Sequence, residues 1–318
     1  MQNRQHPGRA KDVDDKRNII VATHPRSGTH LCINAFRMNV HDSRFPMIRR
    51  QYPSIERLVM GHDAAYTKEW EEYVFGGAPG GIRLFKTHMS RADIEAALEN
   101  TDILNGTERR LFAHIVASSR FVYVHRDGRD TLVSWFHYMR DFGGHLPADL
   151  PPRIAHCDLS EFIRMPNRFF APVRGIEPVD VNRAAYWRHH VESWLNDAQT
   201  IPVAYEALSR DFNATFSKLA DAVGVSDQMY QKLCRPPLIP APRGNYAGRV
   251  LSAIRKRVLV QGYTLRDRIV RKVPGKVPLS AHARKGRIGG WRSRFSTGDL
   301  AFFDAQAGAV MRRLGYTA

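Results

Sequence analysis

The sequence predicts an α/β fold with a central, mostly parallel β-sheet flanked by helices in three layers. Short strand-like runs recur at 19–22, 82–86, 121–124 and 201–204, the first of them apolar and rich in β-branched residues. Segments with apolar residues at helical spacing separate them. Strands that alternate with helices pair in parallel, because each return crossing is made by a helix. Composition agrees: of 318 residues, 43% are hydrophobic and 25% charged. That apolar content can bury a sizeable core, and it excludes collagen-like, coiled-coil and wholly disordered chains.

Each element has its own justification. Residues 1–17 show no hydrophobic period and read as a disordered tail, leaving 18–318 as a single domain. Ile19-Ile20-Val21-Ala22 reads as a strand. His24-Pro25-Arg26-Ser27-Gly28-Thr29 carries turn chemistry, and Leu31, Ile33, Ala35 and Phe36 continue in a helical pattern. This is strand, tight loop, helix. Residues 82–86 and 121–124 read as the second and third strands, and 129–139 as a helix. Over 181–197, Ala184, Trp187, Val191, Trp194 and Leu195 share one helical face. Residues 201–204 form a fourth strand just before Tyr205. Gly- and Pro-bearing stretches at 76–81, 142–152 and 236–244 read as loops.

The charge balance narrows the partners. Lys+Arg is 48 and Asp+Glu is 31, a net charge of +17. Such a field attracts nucleic acid, anionic lipid or anionic small molecules. Residues 249–287 alone carry twelve Lys/Arg against one acidic residue. Val250, Leu251, Ile254, Val258 and Leu259 recur there at helical spacing. Residues 249–283 thus read as a basic flap or insertion: solvated over a cofactor, laid on an anionic membrane, or docking an acidic acceptor. Cys32, Cys157 and Cys234 lie far apart with no CxxC pair, which argues against a cysteine zinc site and for a reduced compartment. The start of the chain is polar, and no run of about 18 apolar residues exists. The reading is a cytoplasmic protein, with contact at a membrane surface left open.

Backbone N–H groups at a helix N-terminus attract anions, and the helix dipole adds to the effect. Arg26-Ser27-Gly28-Thr29-His30 lies at such a strand-to-helix junction. Gly28 permits a tight turn, Ser27 and Thr29 offer hydroxyls, and Arg26 adds a fixed cation. The loop is not GxxxxGK[ST], so it is not a Walker A loop. Taken alone, it reads equally well as a helix cap beside an arginine.

Three further segments accompany it: Lys86-Thr87-His88, then Tyr123 through Arg126-Asp127-Gly128-Arg129-Asp130-Thr131 to Ser134, then Arg284-Lys285-Gly286. In order and spacing the four resemble the sulfotransferases that use 3′-phosphoadenosine 5′-phosphosulfate (PAPS). The likeness runs from about residue 18 to the C-terminus, apart from the basic segment. It implies a P-loop-type fold, PAPS as co-substrate and no metal. It assigns the 5′-phosphosulfate end to Arg26, Ser27, Gly28, Thr29 and His30, with Arg26 where lysine is usual. It assigns the 3′-phosphate to Arg126, Ser134, Arg284, Lys285 and Gly286, and adenine contact to Tyr205. Leu31 stands where a stacking tryptophan is usual. His88 matches the catalytic base, with Lys86 and Arg26 as the cations at the leaving end.

Chemistry independent of the likeness supports these roles. A doubly charged phosphate suits the donor fork of arginine. Histidine titrates near neutrality, and neighbouring cations favour its neutral, basic form. Taken by themselves, His24, His30, His125, His137, His189 and His190 read as structural or as supports behind the reacting groups, and Trp187 and Trp194 as core. Two rival readings are a P-loop-type nucleotide kinase and a basic nucleic-acid-binding protein. The first lacks the Walker lysine and a Mg²⁺-holding context. The second lacks any recognisable nucleic-acid motif, so no nucleic-acid partner is expected. The acceptor, whether carbohydrate, lipid or other small alcohol, and the oligomeric state are not written in these motifs.

Overall fold

The computed structural model describes residues 18–45, 48, 53–59, 64–76, 81–100, 104, 106–142, 156–167, 180–236 and 286–316. The expected tail 1–17, the basic segment 249–283, Arg284 and Lys285 lie outside the described residues.

Four strands pair in parallel: β1 (Asn18–Thr23), β2 (Arg83–Thr87), β3 (Ser119–His125) and β4 (Thr200–Ala204), in the order β2-β1-β3-β4. Every residue of β1 is buried, as a central strand covered on both faces requires. Side-chain alternation splits the core in two. Ile20, Ala22, Phe85, Phe121 and Tyr123 face one layer, and Ile19, Val21, Leu84, Val122 and Val124 face the other. The first layer is built by α2 (Glu56–Val59), α3 (Ala64–Phe75), α4 (Arg91–Glu99), α5 (Gly106–Ala117), α6 (Gly128–Phe142), α7 (Leu159–Arg164), α8 (Arg183–Leu195) and α11 (Thr297–Arg313). The second is built by α1 (Thr29–Asn39), α9 (Tyr205–Arg210) and α10 (Phe212–Ala222). This is the expected three-layer α/β arrangement. Trp70, Trp135, Trp187 and Trp194 are fully buried in the first layer, each contributing about 3 kcal/mol of apolar transfer.

The strands fall where the expected runs lie, with β2 displaced by one residue. The helix expected over 129–139 extends to Gly128–Phe142, and that over 181–197 is Arg183–Leu195, capped by the Asn182 side chain. The outer edge of β2 is covered. Lys86 N–H donates to Pro53 O and Ile55 N–H to Lys86 O, both at 3.0 Å.

β1 leads into α1 on one face and its neighbour β3 into α6 on the other. Adjacent strands whose exits diverge open a crevice at their carboxyl ends, where α/β sheets bind ligands.

Candidate active site

The loop after β1 is shaped by two residues in left-handed backbone. Arg26 has φ 71° and Gly28 φ 112°. Ser27 N–H donates to His24 O at 3.1 Å and closes the turn. No side chain caps α1, and its first turn holds no acidic residue. An uncapped helix start without a carboxylate suits an anion through its dipole. A Cβ on Gly28 would lie 2.5 Å from Cδ2 of Tyr205, so the tyrosine ring packs on the bare backbone of the loop. Leu31 turns into the core, and His30 is exposed on the first turn of α1.

On the β3 side, buried Arg126 donates to the carbonyl oxygens of Arg26 at 3.4 Å and Arg287 at 3.0 Å. Its guanidinium lies 4.6 Å over the Tyr205 ring, and its Nε is buried without a partner. Such an orphaned donor fits an anionic ligand oxygen. Asp130 stands 3.9 Å from Arg126 and accepts from the N–H groups of Gly289 and Trp291. Burial raises the Asp130 carboxyl, and Arg126 offsets only part of the rise. Ser134, two turns into α6, has its Oγ 3.5 Å from Nε of Arg26, whose guanidinium lies 4.8 Å over Tyr138. Tyr205 Oη donates to Gly286 O at 3.0 Å. A second ring of contacts holds the 126–128 turn from behind. Glu206 accepts from Asp127 N–H at 3.1 Å and from Tyr316 Oη at 2.8 Å, and Tyr316 Oη lies 2.9 Å from His125 Nδ1.

The exit of β2 carries the titratable group. His88 Nδ1 lies 2.9 Å from Thr23 O and 3.1 Å from Thr23 Oγ1. A carbonyl can only accept, so Nδ1 holds the ring proton and Nε2 presents a lone pair. Thr23 Oγ1 continues to Thr29 Oγ1 at 2.6 Å, which joins the base to the first turn of α1. Burial first, and the Lys86 cation second, pull the His88 pKa down to about 4. The imidazole is therefore neutral at pH 7. Its main-chain N–H donates to Glu56 Oε1 at 3.3 Å. Burial works to raise the Glu56 carboxyl, but the Lys86 cation first, with hydrogen bonds around the carboxylate, outweighs it and holds Glu56 below its ordinary value.

Of the residues singled out in the sequence, Arg26, Ser27, Gly28, Thr29, Lys86, His88, Arg126, Ser134, Tyr205 and Gly286 gather at the carboxyl edge of β1, β2 and β3. His30 stays at the rim. Arg26 leans along α6 toward Ser134 and Tyr138, and the Lys86 cation acts on the base more strongly than Arg26 does. Glu56, Asp130 and Thr23 were missed by sequence reasoning. Thr23 could have been found as the last residue of a strand entering an anion-binding loop. Nothing local marks Glu56. Among the described residues no group of three or more His, Cys, Asp or Glu side chains could hold a metal ion, and no helix is long and apolar enough to cross a membrane.

Comparisons with known proteins extend the geometry. Solved structures similar to this chain include mouse sulfotransferase SULT7A1 complexed with PAP, at 18% identity, covering 93% of this chain and 85% of that one, with a TM-score of 0.48. Retinol dehydratase in a complex with retinol and PAP is 15% identical, covering 93% of this chain and 81% of that one, with a TM-score of 0.48. No curated protein sequence matches the chain. The profile described as the sulfotransferase domain matches residues 16–315. That match runs through all four strands and every described residue of the site, and the chain belongs to the sulfotransferase domain family.

Proposed function

We propose that the protein transfers a sulfuryl group from PAPS to a hydroxyl of a carbohydrate, lipid or other small alcohol, with His88 as general base. The carrying observation is the His88 ring itself. Its proton is held on Nδ1 by Thr23 O, its lone pair is free on Nε2, and it stands beside Lys86 and the loop of Arg26 to Thr29.

The residues present fit the co-substrate. Arg126, with its unpartnered buried Nε, and Ser134 would hold the 3′-phosphate, and Gly286, whose carbonyl accepts from Tyr205 Oη, lies at the same edge. The α1 amides with Ser27 and Thr29 would hold the 5′ end, and Tyr205 would line the adenine side. When bound, PAPS supplies a sulfuryl group whose bond to the 5′-phosphate breaks as its bond to the acceptor oxygen forms. His88 Nε2 takes the acceptor's proton. The resulting imidazolium is stabilised by the Thr23 carbonyl at Nδ1 and by the Glu56 carboxylate. Lys86, Arg26 and the α1 dipole oppose the negative charge that grows on the leaving side.

The test is a metal-free titration with 3′-phosphoadenosine 5′-phosphate (PAP), 5′-AMP and ATP at fixed salt. Wild type will prefer PAP by at least about tenfold, and Arg126→Ala will erase most of that preference. Turnover with an acceptor panel follows, with His88→Ala as the inactive control. Equal or absent binding of all three nucleotides would overturn the reading.

A further inference from the structure

We propose that His190 is a positioning residue for His88, acting through the main chain with Tyr123 behind it. The inference rests on the reading of His88 as the base. His88 sits just past the end of β2, where the strand ladder no longer fixes the chain. One face of α8 takes over that task. His190 Nε2 lies 3.1 Å from the carbonyl oxygen of His88. Trp194 Nε1 donates to Met89 O at 3.1 Å, and Arg91 N–H donates to Ser193 Oγ at 3.0 Å. Arg91 Nε adds a 3.0 Å bond to Asp197, just past the helix. Residues 190, 193 and 194 lie on one face of α8 and Asp197 follows its end on the same side, so a single surface grips residues 88 to 91 in register.

The direction of the hydrogen bonds follows from the chemistry. A carbonyl only accepts, so His190 Nε2 carries the proton and Nδ1 is an acceptor. Tyr123 Oη, 3.0 Å away, must then donate to it. The relay runs from the Tyr123 hydroxyl through His190 to the His88 carbonyl. Tyr123 is itself fixed in β3 and stacked on Trp194 at 5.8 Å. Burial, then the nearby His24, hold His190 neutral, which keeps Nδ1 an acceptor. With Glu56 on its N–H and Thr23 on its ring, His88 is held at three points. Catalysis is sensitive to such placement, and a base displaced by about 1 Å can lose about 100-fold in rate.

Three variants test this. His190→Leu removes both bonds, His190→Gln keeps a donor near the position of Nε2, and Tyr123→Phe removes only the hydroxyl while keeping the stacked ring. His190→Leu will lower kcat by about 10- to 100-fold, with KM for PAPS and the PAP Kd within about twofold of wild type. His190→Gln will recover most of the loss, and Tyr123→Phe will lose a few-fold in kcat alone. In a His88→Ala background, His190→Leu will add nothing, because its effect passes through His88. A readout without turnover is the imidazole ¹⁵N spectrum of the free protein. His88 will show one Nδ1-protonated tautomer in wild type and His190→Gln, and a mixture in His190→Leu. An unchanged kcat, a full loss that persists in the His88→Ala background, or PAP binding that falls in step with rate would each overturn the proposal. If His88→Ala keeps the wild-type rate, the base reading fails instead, and the spectrum still decides whether His190 orients the ring.

Discussion

The ring of Tyr205 occupies the space in which a side chain on Gly28 would begin, with 2.5 Å between a Cβ there and Tyr205 Cδ2. The loop after β1 and the residue after β4 are thus shaped to each other. Gly28→Ala carries two penalties, the ring contact and a φ of 112°. Together they will destabilise the fold by about 3 kcal/mol, measured by urea unfolding. Adding Tyr205→Ala will recover the contact part and leave the backbone part, so the double variant will be less unstable than the sum of the two single changes.

Acid will unfold this protein early. His24 is held near a pKa of about 3, His88 and His125 near about 4, and His190 well below its ordinary value, in every case chiefly by burial. These folded-state values lie below the unfolded value of about 6.5. The stability they contribute is fully present above that value and is lost as pH falls from about 6.5 through 4. At pH 5 His24, His88 and His125 each favour the unfolded chain by about 2 kcal/mol, and His190 acts in the same direction, so together they take a large share of the stability of a whole domain. Circular dichroism against pH will show loss of structure near pH 5. A midpoint below pH 4 would contradict it.

The start of α11 is a separate stability point. Asp299 accepts from Ser160 Oγ at 2.7 Å, from Ser296 N–H and Oγ, and from Arg164. Burial would raise its carboxyl, but these bonds prevail and lower it to about 2. Asp299→Ala will lower stability by about 2 kcal/mol. A thermal melt will register this, while PAP affinity stays at the wild-type level.

Much of this was legible because it depends on side-chain pattern. The β-branched runs at 19–22 and 121–124 could only be buried strands, and turn chemistry at Ser27-Gly28 fixed the loop between β1 and α1. What stayed hidden depends on main-chain pairing or on approach across the fold. Pro53 and Ile55 dock on β2 through backbone groups, which any residues offer, so nothing announced that Glu56 would reach His88. His190 reads from the sequence as structural or supporting and Trp194 as core, and both are buried. Their polar edges serve the β2 exit, which periodicity cannot show because it reports a face and not its partner.

Thiol chemistry separates the three cysteines. Cys32 is buried and burial pushes its thiol up, Cys157 is buried and raised, and Cys234 is exposed. Cys234 will react first with a disulfide reagent, and Cys234→Ser will remove the fast phase of the reaction. A fast phase that survives the substitution would contradict the assignment.

The bonds around Arg126 also set an order of events on the ribosome. One carbonyl that holds its guanidinium comes from residue 26 and the other from residue 287, and Tyr316 braces Glu206 behind the same turn. A nascent chain that has just emerged past β4 already carries all four described strands and both halves of the core crevice. It still lacks one of the two carbonyls on Arg126 and the brace behind it. The described strands are therefore all made long before the bonds around Arg126 are, and a partly made chain has a scaffold whose Arg126 is not yet held in place.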